Sequence, residues 1–418
     1  MTRAFRPMAL LCAFAALAQW APAQTTAAQT ATPPDPSTLV SRNSHPFSYT
    51  STTLEGSGAE FLRAQTARSQ FVLLGEEHMD HAIPIFSAAL YRMLHDRHGF
   101  RHVVVEQDPV AIDEALQPPR RGDAERLALH ARRNPGLFEF DSDEDLTFLA
   151  VAGSIEQGPD AIWGVEQTTG AVRYLEELVA LAPNDAARDE AKRTLAAAKA
   201  VDTGPTYSVH WLIDARTPAA VDSLRQAFAA TPGSRADYLL SNLAKSSEIF
   251  GYYRRAEAGE FVGLYNNTVR EEVLKKHFLT RYRAIAKDGK LPKALFKFGA
   301  NHLYRGKNPT QAFPIGNLAH ELAIVNDMDA YGLFVIMLGE GYASYDDYPA
   351  WMRPLLPMNA PQNPVVIDLR ALRPYQRLFR QQVEAAQQWE LQCLLHGYDA
   401  IVILPGSKPA SRKLGGRE

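Results

Sequence analysis

The sequence predicts an α/β protein: a mostly parallel central sheet flanked by helices, with a large helical insertion or cap between the third and fourth strands. Three observations predict it. Seven short apolar runs recur along the 418 residues and read as buried strands: Phe71-Val72-Leu73-Leu74, Val103-Val104-Val105, Ala161-Ile162-Trp163, Leu295-Phe296-Lys297-Phe298, Leu333 to Leu338, Val365-Val366-Ile367 and Ile401-Val402-Ile403-Leu404. Between the first two, Ile85, Leu90, Met93 and Leu94 fall at helical spacing. That makes a strand-helix-strand unit of about thirty-five residues, whose connection implies parallel strands. Finally, about 120 residues between the third and fourth runs carry only helical patterning, including the alanine-rich AARDEAKRTLAAAKA.

At the N-terminus, Arg3 and Arg6 precede an apolar run from Met8 to Ala18, and Ala21-Pro22-Ala23 offers a small-residue cleavage site. Residues 1–23 therefore read as a secretory signal peptide, and the mature chain is expected to be secreted or periplasmic. Cys12 lies inside this segment behind Leu10-Leu11, without a lipid-attachment motif. Residues 24–44 are rich in Ala, Thr, Pro and Ser and read as a flexible leader. A single elaborated α/β domain is expected over residues 45–410, with its helical insertion at about 171–290. Residues 411–418, basic and rich in Gly, read as a disordered tail.

Composition narrows the classes. Without the signal peptide only Cys393 remains, so no intrachain disulfide is available and stability rests on the core. Loss of Arg3 and Arg6 leaves 42 basic against 47 acidic residues, a charge of about −5, which does not point to nucleic acid. No later stretch approaches the ~20 uninterrupted apolar residues of a membrane span, so no stable membrane insertion is expected. A small-molecule substrate fits these limits, and the oligomeric state is left open.

The chemistry lies in the residues that follow the strands. In an open parallel sheet, ligands bind beyond the carboxyl ends of the strands, where loops gather side chains from several of them. Four runs end suggestively: in Gly75-Glu76-Glu77-His78, in Glu106-Gln107-Asp108, in Gly164-Val165-Glu166-Gln167, and in Gly299-Ala300-Asn301-His302. Each has an ordinary reading as well. Glu76 and Glu77 equally suit the positive end of a following helix, His78 suits a helix cap, and His81 sits near the start of the next helix. Asp108 before Pro109, and Asn301, read as turn residues. Glu106 is hardest to explain as packing: a carboxylate directly after three valines is costly to bury unless paired or hydrogen-bonded. Glu166 follows the same logic from a shorter strand.

Taken together, GEEH after a strand, Glu106 at the end of GFRHVVVEQ, and GANH after a late strand resemble the clan of erythromycin esterase-like proteins, the Tiki and TraB group and the haem-uptake ChaN-like proteins. Paired Gly-x-x-His motifs with a strand-end glutamate are its hallmark. WGVEQ resembles that family's third strand end. VREEVLKKH resembles a helix carrying an arginine and an acid that faces the site, PIGNLAHELA the stretch after the second histidine, and YDAIVILPGSKPASRK the closing strand. The likeness spans roughly residues 65 to 412. Carried over by position, it implies Glu76, His78, Glu106, Arg270 and His302 as catalytic residues. GEEH has tighter spacing than the esterase-like branch, which leaves Glu76 and Glu77 as alternatives.

The resemblance implies an exported hydrolase cleaving an ester, lactone or amide bond by water activated by His and Glu. In this scheme His78 or His302 is the base, Glu76 or Glu106 fixes its tautomer, and Arg270 with the second histidine stabilises the oxyanion. The chain carries no Gly-x-Ser-x-Gly elbow. The Tiki-like branch implies instead a metal-dependent peptidase in which His78, Glu106 and His302 hold Zn or Mn. The ChaN-like branch implies a haem- or iron-binding uptake protein.

Overall fold

A computed structural model of the chain describes residues 34–134, 137–138, 140–202, 209–260, 265–339 and 348–414. The expected signal peptide lies outside them. From Pro36 onward the chain forms one compact unit.

All seven apolar runs are strands: β4 (Ser69–Glu76), β5 (His102–Val105), β6 (Ile162–Gly164), β7 (Ala294–Gly299), β8 (Asp329–Gly339), β9 (Val365–Asp368) and β10 (Ala400–Ser407). Three shorter strands precede them: β1 (Ser44–Pro46), β2 (Ser48–Tyr49) and β3 (Leu54–Glu55). Eight strands form one sheet in the order β1-β9-β10-β8-β4-β7-β5-β6, while β2 and β3 pair separately. The six from β10 to β6 are parallel to their neighbours. The parallel expectation fails at one edge, where β9 runs antiparallel to β10 and β1 antiparallel to β9. The reason is in the connection: residues 369–399 leave β9 at Asp368 and enter β10 at Ala400, directly opposite it in register, so the chain returns on the side from which it left.

β4 lies at the centre and is buried along its whole length. Its alternation divides the core. Val72 and Leu74 pack on one face with Phe86, Leu90 and Leu94 of the Ala82–His98 helix and Phe148 of the Asp143–Ile155 helix. Phe71 and Leu73 pack on the other with Phe278 of the Tyr265–Ile285 helix and Ala319 of the Ile315–Val325 helix. Both faces are covered, which is why these strands are continuous apolar runs rather than alternating ones. Cys393 is buried on the second face, and burial pushes its thiol up to about 11.

Between β6 and β7 every described element is a helix, six in all from Ala171 to Ile285. The alanine-rich sequence lies in the helix Asp185–Val201, where Ala187, Ala191, Thr194 and Ala198 form the buried stripe. The three alanines join Tyr174, Leu178, Leu224 and Leu243 in a core separate from those on the two sheet faces. Among the described residues no helix is long and apolar enough to cross a membrane.

Two expected boundaries are corrected. The leader, expected to be flexible through residue 44, is a helix from Pro36 to Arg42, because Leu39 and Val40 are buried in the main core and Ser44 already pairs in β1. The tail, expected to be disordered from residue 411, is held as far as Leu414. Asp143 accepts from the Ser411 hydroxyl at 2.9 Å, the Leu414 N–H at 3.1 Å and the Lys413 N–H, while Glu144 accepts from the Ser411 N–H at 2.9 Å and Asp141 pairs with Arg412. Residues 415–418 lie outside the described part. The acidic start of the Asp143–Ile155 helix anchors the basic segment that sequence alone marks as loose. Replacing Asp143→Ala removes these acceptors and the ion pair to Arg132. The expected result is a stability loss of about 1–3 kcal/mol, read by urea denaturation, with earlier proteolysis at the C-terminal segment.

Candidate active site

Because β4, β5, β6 and β7 are parallel neighbours, the residues after them meet at one end of the sheet. There they line a cavity of about 670 Å³ that includes Glu76, His78, Glu106, Arg270 and His302, with Phe140, Phe334 and Trp351 on its apolar walls.

Glu106 is the centre of the site. It is 3% exposed, and one carboxylate oxygen accepts the Gly299 N–H at 2.7 Å while the other accepts Arg270 Nη2 at 2.7 Å. His78 Nε2 lies 3.5 Å from the first oxygen and His302 Nε2 lies 3.3 Å from the second. Burial opposes ionisation of this carboxyl, but His302, His78 and Arg270 outweigh it and hold it well below the usual carboxylate range. Gly299 makes room for this arrangement: a Cβ there would stand 2.7 Å from His78 Nε2 and 3.3 Å from Glu106.

The two histidines have different supports. His302, in the short 3-10 turn Ala300–His302, places Nδ1 2.5 Å from Glu271, whose other oxygen accepts the Ile315 N–H at 2.7 Å. Burial works against its charge, yet Glu106 and Glu271 raise its pKa to about 10. His78 places Nδ1 3.1 Å from Glu76 and stacks on Phe140, with ring centroids 3.8 Å apart. Its pKa is also raised: burial lowers it, and Glu106 followed by Glu76 more than compensates. His78 is the more open of the two, with 27% of its side chain exposed against 13% for His302. The turn beyond His78 puts Met79 at φ 65°, and the Met79 carbonyl is held by the Ala410 N–H at 2.9 Å, so the C-terminal segment braces this histidine's loop.

A second layer fixes the carboxylates. Arg270 bridges Glu106 to Glu166, which is fully buried and bonded at 3.1 and 2.5 Å. Lys297 reaches Glu76 at 2.7 Å and Asp145 at 2.7 Å, and these two acids raise its pKa against the effect of burial.

The structure thus brings together all five predicted residues and places Glu76 against His78, with Glu77 exposed at the cavity. On the Tyr265–Ile285 helix the acid that faces the site is Glu271, against His302. His81 points elsewhere, to Glu144 at 2.7 Å. Asp108 caps the Pro109–Ala115 helix, accepting the Val110 N–H at 2.6 Å. Lys297, Asp145 and Phe140 escaped sequence reasoning. The one available signal was a lysine inside the apolar run LFKF.

Among the described residues no group of three His, Cys, Asp or Glu side chains is arranged to hold a metal ion. His78, Glu106 and His302 do meet, but each Nε2 faces a carboxylate oxygen already bonded to Arg270 or to the Gly299 N–H, and a guanidinium adjoins the set. With Glu106 already bonded and a guanidinium beside it, these residues do not fit a resident divalent ion.

Comparison with known proteins concerns the fold. No family model matches the sequence, and no curated protein sequence matches it. Among solved structures, a mutant of erythromycin esterase EreC in its open conformation superposes with a TM-score of 0.57 at 16% identity, covering 84% of this chain and 94% of that one. The fold is similar to that of this esterase. The same esterase-like fold appears in a Bacillus cereus protein (TM-score 0.55, 10% identity, 91% of this chain and 99% of the other) and in a succinoglycan biosynthesis protein (0.57, 13%, 90% and 98%).

Two substitutions test the geometry. Lys297→Met leaves Glu76 and Asp145 buried without their cation, and is expected to cost about 3–5 kcal/mol, measured by denaturant unfolding. Gly299→Ala pushes a methyl group against His78 and Glu106 at the mouth of the site. It is expected to shift the His78 ring resonances in NMR while far-ultraviolet circular dichroism stays unchanged.

Proposed function

We propose that the chain is an exported hydrolase that cleaves an ester, lactone or amide bond with water activated by His78. The observation that carries this reading is the unequal pair of histidines on one buried carboxylate, since groups of one type pushed into different roles by their surroundings mark acid and base assignments. His302, flanked by Glu106 and Glu271, stays protonated through neutral pH. His78 borders the open cavity and is the more exposed of the two.

The reaction runs through this chain's own groups. With Nδ1–H donating to Glu76, Nε2 of neutral His78 takes a proton from water as the water oxygen attacks the carbonyl carbon. The negative charge that develops on the carbonyl oxygen faces the imidazolium of His302, beside Arg270. Arg270 also keeps Glu106 and Glu166 in register. On collapse, Nε2–H of His78 delivers its proton to the leaving oxygen or nitrogen and returns to the neutral form. The apolar walls at Phe140, Phe334 and Trp351 suit the carbon skeleton of a small-molecule substrate.

The test is a panel of ester, lactone and amide substrates with purified wild type, His78→Gln and His302→Gln. His78→Gln is expected to lower kcat by about 10²–10⁴ and His302→Gln by about 10²–10³; unchanged hydrolysis in both overturns the proposal. The pH profile follows from the same shifts. A base must be neutral, so activity rises as His78 loses its proton, at a pH above the ordinary histidine value, and falls as His302 deprotonates near 10. Glu76→Gln removes one of the carboxylates that raise His78, so the acid limb is expected to move to lower pH. Export is tested by the N-terminal sequence of protein recovered outside the cytoplasm.

A further inference from the structure

A second cavity, of about 540 Å³, lies at the opposite end of the sheet, where β4, β8 and β10 begin. Its walls are rich in hydrogen-bond donors. Arg305, Arg370 and Arg373 all line it, and Asp399 lies beneath them at 2% exposure. Both oxygens of Asp399 are used: Arg373 Nη2 stands at 3.0 Å, Arg305 Nη2 at 3.3 Å, and the Gly332 N–H donates at 3.0 Å. Arg370 spends Nε and Nη2 on Asp368, at 2.9 and 3.0 Å. Arg373 donates through Nε to Leu395 O at 3.0 Å and through Nη2 to Tyr398 O at 2.8 Å. Nη1 of each of the three guanidinium groups makes no hydrogen bond among the described residues.

Two further donors are buried and unmatched. His320 is 4% exposed and its Nε2 has no partner; Tyr331 is 3% exposed and its hydroxyl has none. The histidine's tautomer follows from its neighbour. Arg305 Nη2 can only donate, so at 3.0 Å Nδ1 of His320 must accept, and the proton sits on Nε2. Burial, then Arg305, lowers the pKa of this ring to about 3, so it stays neutral and the tautomer is fixed. Tyr331 lies under the Arg370 guanidinium, 5.0 Å from its ring centroid. Counting Arg68 with Asp329 at the rim, four arginines face the three carboxylates Asp329, Asp368 and Asp399. The cavity holds one surplus positive charge and several donors without acceptors. Unmet buried donors carry an uncompensated desolvation cost, and an oxyanion offers the acceptors they lack.

We propose that this cavity is a binding site for a small oxyanion, a phosphate or a carboxylate group, separate from the hydrolytic site and held by Arg305, Arg370 and the Nε2–H of His320. The site lies across the sheet from His78 and His302, so its occupant is not the group being cleaved. Isothermal titration of the purified protein with inorganic phosphate and, in parallel, with succinate tests it, with ionic strength held constant by sodium chloride. One saturable site for either anion is expected, and the anion that binds assigns the class. Arg305→Gln and His320→Phe are each expected to weaken it at least tenfold, Arg305→Lys to retain part of the affinity, and His302→Gln to leave it intact. Circular dichroism checks that each variant is folded, and the Arg305→Gln and Arg305→Lys comparison decides the matter if His320→Phe is not. No saturable binding of either anion, equal affinity in Arg305→Gln, or loss in His302→Gln overturns the proposal.

Discussion

The site depends on one buried carboxylate. Glu106 emerges from β5 into a space where water cannot solvate it, and such a charge persists only if the surrounding groups repay the lost hydration. Here they do so from three directions: a guanidinium from the Tyr265–Ile285 helix, a backbone N–H from the end of β7, and two imidazoles from the ends of β4 and β7. The partners come from the Tyr265–Ile285 helix and from the ends of β4 and β7, so the position of Glu106 depends on how these elements assemble around β5. The arrangement also explains Gly299, which no side chain can replace without displacing either the histidine or the acid.

Charges of opposite sign alternate outward from that point. Asp145, Lys297, Glu76 and His78 form one arm; Glu271 and His302 form another; Glu166 and Arg270 form a third. Alternation of this kind lets many ionised groups share a small buried volume, because every charge has an opposite one at hydrogen-bond distance. It also couples the arms. A change at Lys297 reaches His78 through Glu76, and the two histidines feel each other through Glu106, so their titrations belong to the cluster as much as to either ring.

The parts of this design that the sequence made legible are those with a local signature. Seven apolar runs became seven strands because burial on both faces demands uninterrupted Val, Ile, Leu and Phe, and a polar residue directly after such a run marks a strand end. Glu76, His78, Glu106 and His302 were readable for that reason. What was not legible has no local signature. β1, β2 and β3 span two or three residues each, too few to form a pattern. The direction of β9 is set by where its connection returns. Arg270 is one of many charges on a helix, and only a family resemblance distinguished it. Asp145 and Glu271 acquire meaning from partners about 150 and 30 residues away in the chain, which periodicity does not record.

The order of the sheet carries a further consequence for how the chain is made. Among the described strands β1 has β9 as its sole partner in the sheet, and β9 is joined to the others only through β10, which is synthesised long after β1. The turn beyond His78 likewise receives a hydrogen bond from Ala410. A nascent chain can pair β4 through β8 before β9 and β10 are made, but β1 and the loop that carries His78 must wait for those later strands and for Ala410. Until then β8 presents an open edge of the kind that invites unwanted pairing, and the loop of His78 lacks the segment that braces it.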